Sequence, residues 1–311
     1  TLSLQQVNES PSSNDSSGGP FFIDARFLPL LAEDYTKKKK KKLAFIGSGV
    51  MAEAMIKGLL QRELVPPGHI TCADPQAHRL ELLAQRYGVL TTQDNAQAIR
   101  DADVGVLSIK PQMWSEVGPQ LMGSLQPSGF LLSIMAGVTT GNIVRRTRHE
   151  AVVRVMPNTP AQVGLGVSVW CATRAVNESQ REMTTELLQA LGIEHQVKHE
   201  EMLDMATALS GSAPAYVFLF MEALIDAGVH LGFSRQVAKD LVVQTVKGSA
   251  EFATQSDKHI ADLRNMVTSP GGTTADALYY LEKGGLRTML SKAVHAAFIK
   301  SQRLSQLSEQ D

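Results

Sequence analysis

The stretch that most limits what this chain can fold into is residues 43–52, Leu-Ala-Phe-Ile-Gly-Ser-Gly-Val-Met-Ala. Four apolar residues in a row suit a short strand buried on both faces, the kind that fills a parallel sheet. Gly47 permits the tight turn out of that strand. Gly49 lets a pyrophosphate come close to the backbone, and the small Ala52 lets the next helix pack tightly on the strand. The following residues, 51–60, predict that helix, with Met51, Met55, Ile56, Leu59 and Leu60 along one side. Its N-terminus offers free N–H groups and a partial positive charge to a phosphate. A plain glycine turn with no ligand is the alternative; the strand before and the helix after favour the dinucleotide reading.

The same alternation continues. A second strand over 69–73 closes at Asp74, 25 residues after Gly49, close to the ~20 expected for an acidic residue that bonds the ribose hydroxyls of NAD. Asp-Pro before a helical pattern at 78–87 also suits helix capping. Arg79, five positions on, can still reach a phosphate, so the choice of nucleotide stays open. Further strands are expected at 89–90, 104–109, 130–135, 151–156, 167–171 and 193–197, with helices at 96–102 and 178–191. These make a Rossmann-like α/β unit with a sheet of about eight strands. The strand 104–109 runs into Lys110-Pro111, at the carboxyl edge where ligands sit in open α/β folds. A solvated lysine at a loop start accounts for Lys110 equally well. Ala136-Gly137, at another strand tip, leaves room for a flat ring.

Near residue 200 the chain turns helical. Residues 214–228 are apolar on nearly every face (Val217, Phe218, Leu219, Phe220, Met221, Leu224, Ile225), so that helix must be buried all round. A tail of about 110 residues can hardly bury it alone, which implies a second copy of the chain. Further helices are expected at 236–254 (capped by Ser234), 258–267, 275–283 and 286–307. The small-residue run 210–216 reads as a loop used for close packing. The division is therefore 1–42, an extension with a lysine-rich linker; 43–200, the dinucleotide-binding domain; and 201–311, an all-α dimerisation and substrate domain.

Composition excludes more than it assigns. At 43% apolar, 20% charged and net charge −1, nothing points to nucleic acid or an anionic membrane. No uninterrupted apolar run approaches a membrane span. Residues 8–20 are rich in Ser, Asn, Gly and Pro and read as disordered, and 37–42 are six lysines with no aromatics among them. The tail, with one arginine and five acids, does not fit a mitochondrial presequence, so a cytoplasmic enzyme is expected. Cys72 and Cys171, two thiols in predicted strands, suit a reducing compartment. H-E-x-x-H, C-x-x-C and G-x-S-x-G patterns are missing, and no metal site is expected. The eight histidines are scattered, His259 best explained as a helix cap.

Residues 268–274, Thr-Ser-Pro-Gly-Gly-Thr-Thr, stand apart. Gly271 and Gly272 expose backbone N–H groups, Thr273 and Thr274 add hydroxyls, and a helix starts behind them. That is a neutral cradle for a small carboxylate; a simple N-cap turn would need less. With no strong acid or base evident, an already activated acceptor such as a protonated imine fits better than a ketone, although Lys110 could serve one.

Six motifs carry a family resemblance over 43–307: Phe-Ile-Gly-Ser-Gly-Val-Met-Ala52, Ser-Ile-Lys-Pro-Gln112, Ala-Gly-Val138, Arg154-Val-Met-Pro-Asn-Thr-Pro160, Leu209-Ser-Gly-Ser-Ala-Pro-Ala-Tyr216 and Val267-Thr-Ser-Pro-Gly-Gly-Thr-Thr274. The sequence resembles pyrroline-5-carboxylate reductase. The resemblance implies hydride transfer from NADPH or NADH to 1-pyrroline-5-carboxylate, giving L-proline. It implies Ser48, Val50 and Met51 at the pyrophosphate, Asp74 and Asn95 at the adenosine, and Ile109, Lys110 and Ala136 at the nicotinamide half, with Gly47, Gly49, Ser108, Pro111, Gly137 and Asn158 also at the cofactor. It further implies Glu200, Thr207, Ser269, Gly271, Gly272, Thr273 and Thr274 at the substrate, with Thr274 donating to the ring nitrogen, and a homodimer that can build a decamer. Asp74 stands where the family often has Ser or Thr, which leans the chain toward NADH. Residues Ile260, Ala261, Arg264 and Asn265 depart from the family's pattern before the glycine pair. A reductase of another cyclic imine, or a β-hydroxyacid-type dehydrogenase, is the alternative.

Overall fold

The computed structural model describes residues 41–310, so the reading of 1–42 as an appendage falls, apart from Lys41 and Lys42, outside the described residues. Strand β1 (Leu43–Ile46) runs into α1 (Val50–Gln61), and β2 (Ile70–Ala73) into α2 (Ala77–Tyr87). There follow β3 (Leu90–Thr92), α3 (Asn95–Ile99), β4 (Val104–Leu107), α4 (Trp114–Gln120), β5 (Phe130–Ser133), α5 (Thr140–Thr147) and β6 (Val152–Met156). Then come β7 (Gly166–Ala172), α6 (Glu178–Gln189) and β8 (Gly192–Gln196). The eight strands form one sheet in the order β3-β2-β1-β4-β5-β6-β7-β8. All neighbours are parallel except β6 and β7, which pair antiparallel through Val153–Ala172 and Arg154–Cys171.

The sequence dictates the layering. In β1 the side chains alternate: Leu43 and Phe45 join a core with Met55, Leu59, Trp170 and Leu188. Ala44 and Ile46 join another with Ile99, Leu107, Trp114 and Ile143 on the opposite face. Every residue of β1, β4 and β5 is buried, as continuous apolar runs require in a sheet covered on both sides. The sheet order reverses between β1 and β4, opening a crevice at the carboxyl ends of those two strands, where open α/β sheets take their ligands.

From Met202 the chain is helical: α7 (Met202–Ala206), α8 (Ala213–His230), α9 (Arg235–Thr254), α10 (Ile260–Met266), α11 (Thr273–Lys283) and α12 (Leu286–Gln310). The structure corrects the loop expected at 210–216. Thr207–Gly211 is a π-helical turn that joins α7 to α8 without a break, and Pro214 lies in the first turn of α8, where its missing N–H costs nothing. The hydroxyls of Thr207 and Ser210 bond back to Leu203 O (2.7 Å) and Ala206 O (2.9 Å). A side chain at Gly211 would meet Met156 Cε at 2.6 Å, so the methionine would have to shift to admit one.

This continuity also changes the view of membranes: Met202–His230 is, by length and composition, apolar enough to span one, and only 6% of its most apolar window is buried in the single chain. Along α8, Phe218 and Leu219 are 62% and 66% exposed. The expected all-round burial is therefore not met within one chain. In contrast, α12 returns to the sheet, burying Ser301 and Ser305.

Candidate active site

The loop between β1 and α1 is held from three sides. Gly47 has φ +87°, and a Cβ there would lie 2.6 Å from Ile109 Cγ2, so the turn and the neighbouring β4 tip both demand glycine. Gly49, the N-cap of α1, has no side-chain cap, and open space surrounds the position of its missing Cβ. Val50 is 63% exposed on the same side. The first turn of α1 is thus an uncovered cluster of N–H groups, as an incoming pyrophosphate requires. Ser48 is buried and faces inward: its hydroxyl donates to Ala73 O (3.2 Å) and its N–H to Asp74 Oδ2 (2.9 Å).

Asp74 thus ties the glycine loop to β2, and its Oδ1 accepts from Gln76 N (3.0 Å). It does not cap α2, whose N-cap is Gln76. Arg79 lies beneath the same loop. Its Nε donates to Ser48 O (2.6 Å) and one Nη to both Gly49 O (3.3 Å) and Glu53 (2.6 Å). Burial would raise the Glu53 carboxyl, but hydrogen bonds from Arg79 and Tyr87, the Arg79 charge and a bond from Arg86 outweigh it and hold the group below its usual value.

At the other strand tips, Ser108 Oγ donates to Gly47 O (2.7 Å), Lys110 is exposed, and Pro111 opens a 3₁₀ turn. Ala136 is exposed beside the buried Gly137. An open hollow of about 220 Å³ is bounded here by Pro111, Ala136 and Gly137 on the sheet side and by Leu304, Leu307 and Ser308 of α12. Asn95 donates to Gln120 (2.9 Å). Asn158 is engaged elsewhere: its side chain donates to Ser210 O (3.2 Å) and accepts from Val167 N (3.0 Å), pinning β7 to the π turn.

In the helical part, Gly271 (φ +68°) makes the turn and Gly272 caps α11 without a side-chain bond. A Cβ at Gly272 would crowd Ser269 Oγ. The hydrogen bonds of 268–274 stay local, Thr268 to Arg264 O (2.8 Å) and Gly272 N to Ser269 O (3.0 Å). Gly271 and Thr273 are exposed, Thr274 half-buried. His259 caps α10, accepting from Ala261 N at 3.1 Å, as expected.

Glu200 sits in a network that the sequence did not announce. It accepts from Thr140 N (2.8 Å), Thr140 Oγ1 (2.6 Å) and Arg154 Nη1 (2.8 Å). Arg154 is buried in β6 and lies 3.8 Å from Asp204, which accepts from Ser301 (2.7 Å) and Ser305 (2.9 Å). The one available signal was an arginine amid valines, Val-Val-Arg-Val, which must find a carboxylate. Burial pushes both cysteine thiols up to about 12, which keeps them protonated and unreactive. Among the described residues no group of His, Cys, Asp and Glu could hold a metal ion.

Residues 200–304 match the family model described as pyrroline-5-carboxylate reductase dimerisation. Residues 42–137 match one described as NADP oxidoreductase, coenzyme F420-dependent. The chain is 40% identical over 270 residues to the pyrroline-5-carboxylate reductase of Pseudomonas aeruginosa, covering 86% of this chain and 97% of that one. The chain belongs to the pyrroline-5-carboxylate reductase family. The reductase of Pisum sativum is 38% identical over 89% of this chain and 99% of its own. Among solved structures, the reductase of Coxiella burnetii superposes with a TM-score of 0.80 at 36% identity, covering 86% of this chain and 99% of that one. That of Plasmodium falciparum, solved with NADP bound, does so with 0.78 at 34% identity, covering 86% and 99%. A reductase of this family has a dimerisation unit where this chain carries its unburied α8.

Proposed function

We propose that the chain transfers hydride from NAD(P)H to the C=N carbon of 1-pyrroline-5-carboxylate, giving L-proline, the last step of proline biosynthesis. The observation that carries the reading is the pairing, in one family member, of an uncovered glycine loop at the sheet's switch point with a Ser-Pro-Gly-Gly-Thr-Thr cradle at a helix start. The open space at Gly49 and the uncapped start of α1 fit a pyrophosphate. When bound, the reduced nicotinamide supplies the hydride; the protein's part is placement.

Gly47, Ser48, Gly49, Val50 and Met51 take the pyrophosphate. Asp74 and Asn95 face the adenosine half, and Ser108, Ile109, Lys110, Pro111, Ala136 and Gly137 frame the nicotinamide half. Ser269, Gly271, Gly272 and Thr273 hold the substrate carboxylate with N–H groups and hydroxyls, using the start of α11 in place of a cation. Thr274 donates to the nitrogen of the neutral imine, and as the carbon accepts hydride the nitrogen takes one proton, passed through that hydroxyl from solvent, which completes the amine. Thr207, Asn158 and Glu200 brace the junction between the sheet and the first helices of the helical part, through their bonds to Leu203, Ser210, Thr140 and Arg154.

The active assembly is a homodimer in which α8 of each copy covers the other, and the decamer is its larger form. The exposed Phe218 and Leu219 support this over a membrane-embedded helix, since the dimerisation match spans the same residues. A cytoplasmic setting suits the two buried, unpaired thiols. The test is a spectrophotometric assay of full chain with pyrroline-5-carboxylate and each reduced nucleotide. Oxidation of either nucleotide that depends on the imine supports the reading. Turnover of a β-hydroxyacid with none of the imine overturns it.

A further inference from the structure

We infer that the last two turns of α12 position the Ala136–Gly137–Val138 turn, making Leu304 and Glu309 positioning residues for the nicotinamide half of the site. This rests on the reading of that turn as part of the nicotinamide platform.

A set of contacts between α12 and the turn carries the inference. Gly137 has φ +73°, and a Cβ built on it would lie 2.9 Å from Leu304 Cβ, so helix and turn touch through the absence of a side chain. Just past the turn, the Thr139 hydroxyl donates to Glu309 Oε1, and the Thr139 N–H reaches Ser308 Oγ at 3.4 Å. Arg145 then grips Glu309 twice, Nη1 to Oε2 at 3.0 Å and Nη2 to the main-chain oxygen at 3.0 Å, while the Asn142 amide donates to Ser308 O. Behind these, Arg154 donates to Ser305 Oγ (3.3 Å), so the same helix face is also moored to β6.

A strand tip followed by a glycine at positive φ has little stiffness of its own. Here its far side is fixed by a helix that starts more than 140 residues later, at Leu286. The turn's near side, with the exposed Ala136, forms one wall of the hollow that α12 also lines. Movement of the helix end therefore becomes movement of the platform. The adenosine half, built on β1 and β2, shares none of these contacts.

The experiment uses full-length chain and direct titration of NADPH by its fluorescence, with ADP as a probe of the adenosine half alone. Glu309→Ala is expected to weaken NADPH binding about fivefold and to leave the ADP dissociation constant unchanged. Glu309→Gln, whose one oxygen can still accept from Arg145 while its amide donates to the Thr139 hydroxyl, is expected to restore part of the loss. Leu304→Gly, which removes the Cβ that meets the turn, should weaken NADPH in the same selective way. Equal weakening of NADPH and ADP, or a lowered Tm with NADPH binding at the wild-type value, overturns the inference. Because the readout is nucleotide binding, absence of pyrroline-5-carboxylate turnover in the wild type would fail the functional reading without blurring this result.

Discussion

At the scale of single residues, the proposed chemistry hinges on groups that carry no formal charge. Thr274 stands in the first turn of α11, where its hydroxyl can face a ligand while its backbone continues the helix. Replacing it by Val keeps the shape and removes the donor. Thr274→Val should lower kcat/KM for the imine by about 10–100-fold with the nucleotide KM unchanged, read by steady-state kinetics. Asp74 belongs to the same scale but works differently. Its carboxylate already accepts from Ser48 and Gln76, so it braces the glycine loop, and in the proposed site its negative charge faces the ribose. Wild type should favour NADH, and Asp74→Ser should raise the NADPH-to-NADH ratio of kcat/KM about tenfold, since a 2′-phosphate no longer meets a carboxylate. An unchanged ratio would show that Arg79 below the loop governs the choice.

At the scale of elements, Glu53 joins α1 to α2 through Arg79, Arg86 and Tyr87. Its folded-state pKa is lowered from the usual 4.5, so its contribution to stability is fully present above that value and is lost as pH falls below it. Glu53→Gln should therefore flatten the fall in Tm below about pH 4.5 and leave a lower plateau at pH 7, measured by thermal melts across pH.

How far elements were legible depended on the kind of signal. β1, β4, β5 and β6 could be read because apolar runs bounded by Gly or Lys-Pro mean buried strands, and each of the six helices expected beyond β6 formed with its ends shifted by a few residues. Three shorter helices could not. α4 carries Pro119 inside it, α5 is Thr-Gly-Asn-Ile-Val-Arg-Arg-Thr with a single narrow apolar edge, and α7 merges into a π turn. Among site residues, the glycine loop was legible because its spacing encodes a backbone need. The Glu200 network was not, because Arg154 and Glu200 are 46 positions apart and only the fold brings them within 2.8 Å.

At the scale of the whole molecule, the sheet part has two buried cores and the helical part beyond α7 has almost none of its own within one chain. A glutamate placed at Phe218 should be tolerated on a lone helix and rejected in a paired one. Phe218→Glu is expected to shift the protein from dimer or larger to monomer in sedimentation experiments and to abolish turnover while nucleotide binding survives. A variant that remains oligomeric would move the pairing surface off α8.

The missing burial along α8 has one more effect. On the proposed pairing, a chain whose apolar α8 is covered by another copy has its thermal resistance set partly by mass action, so its melting temperature should climb with protein concentration. Extreme dilution, with no change of solvent or heat, would be enough to unmake the enzyme.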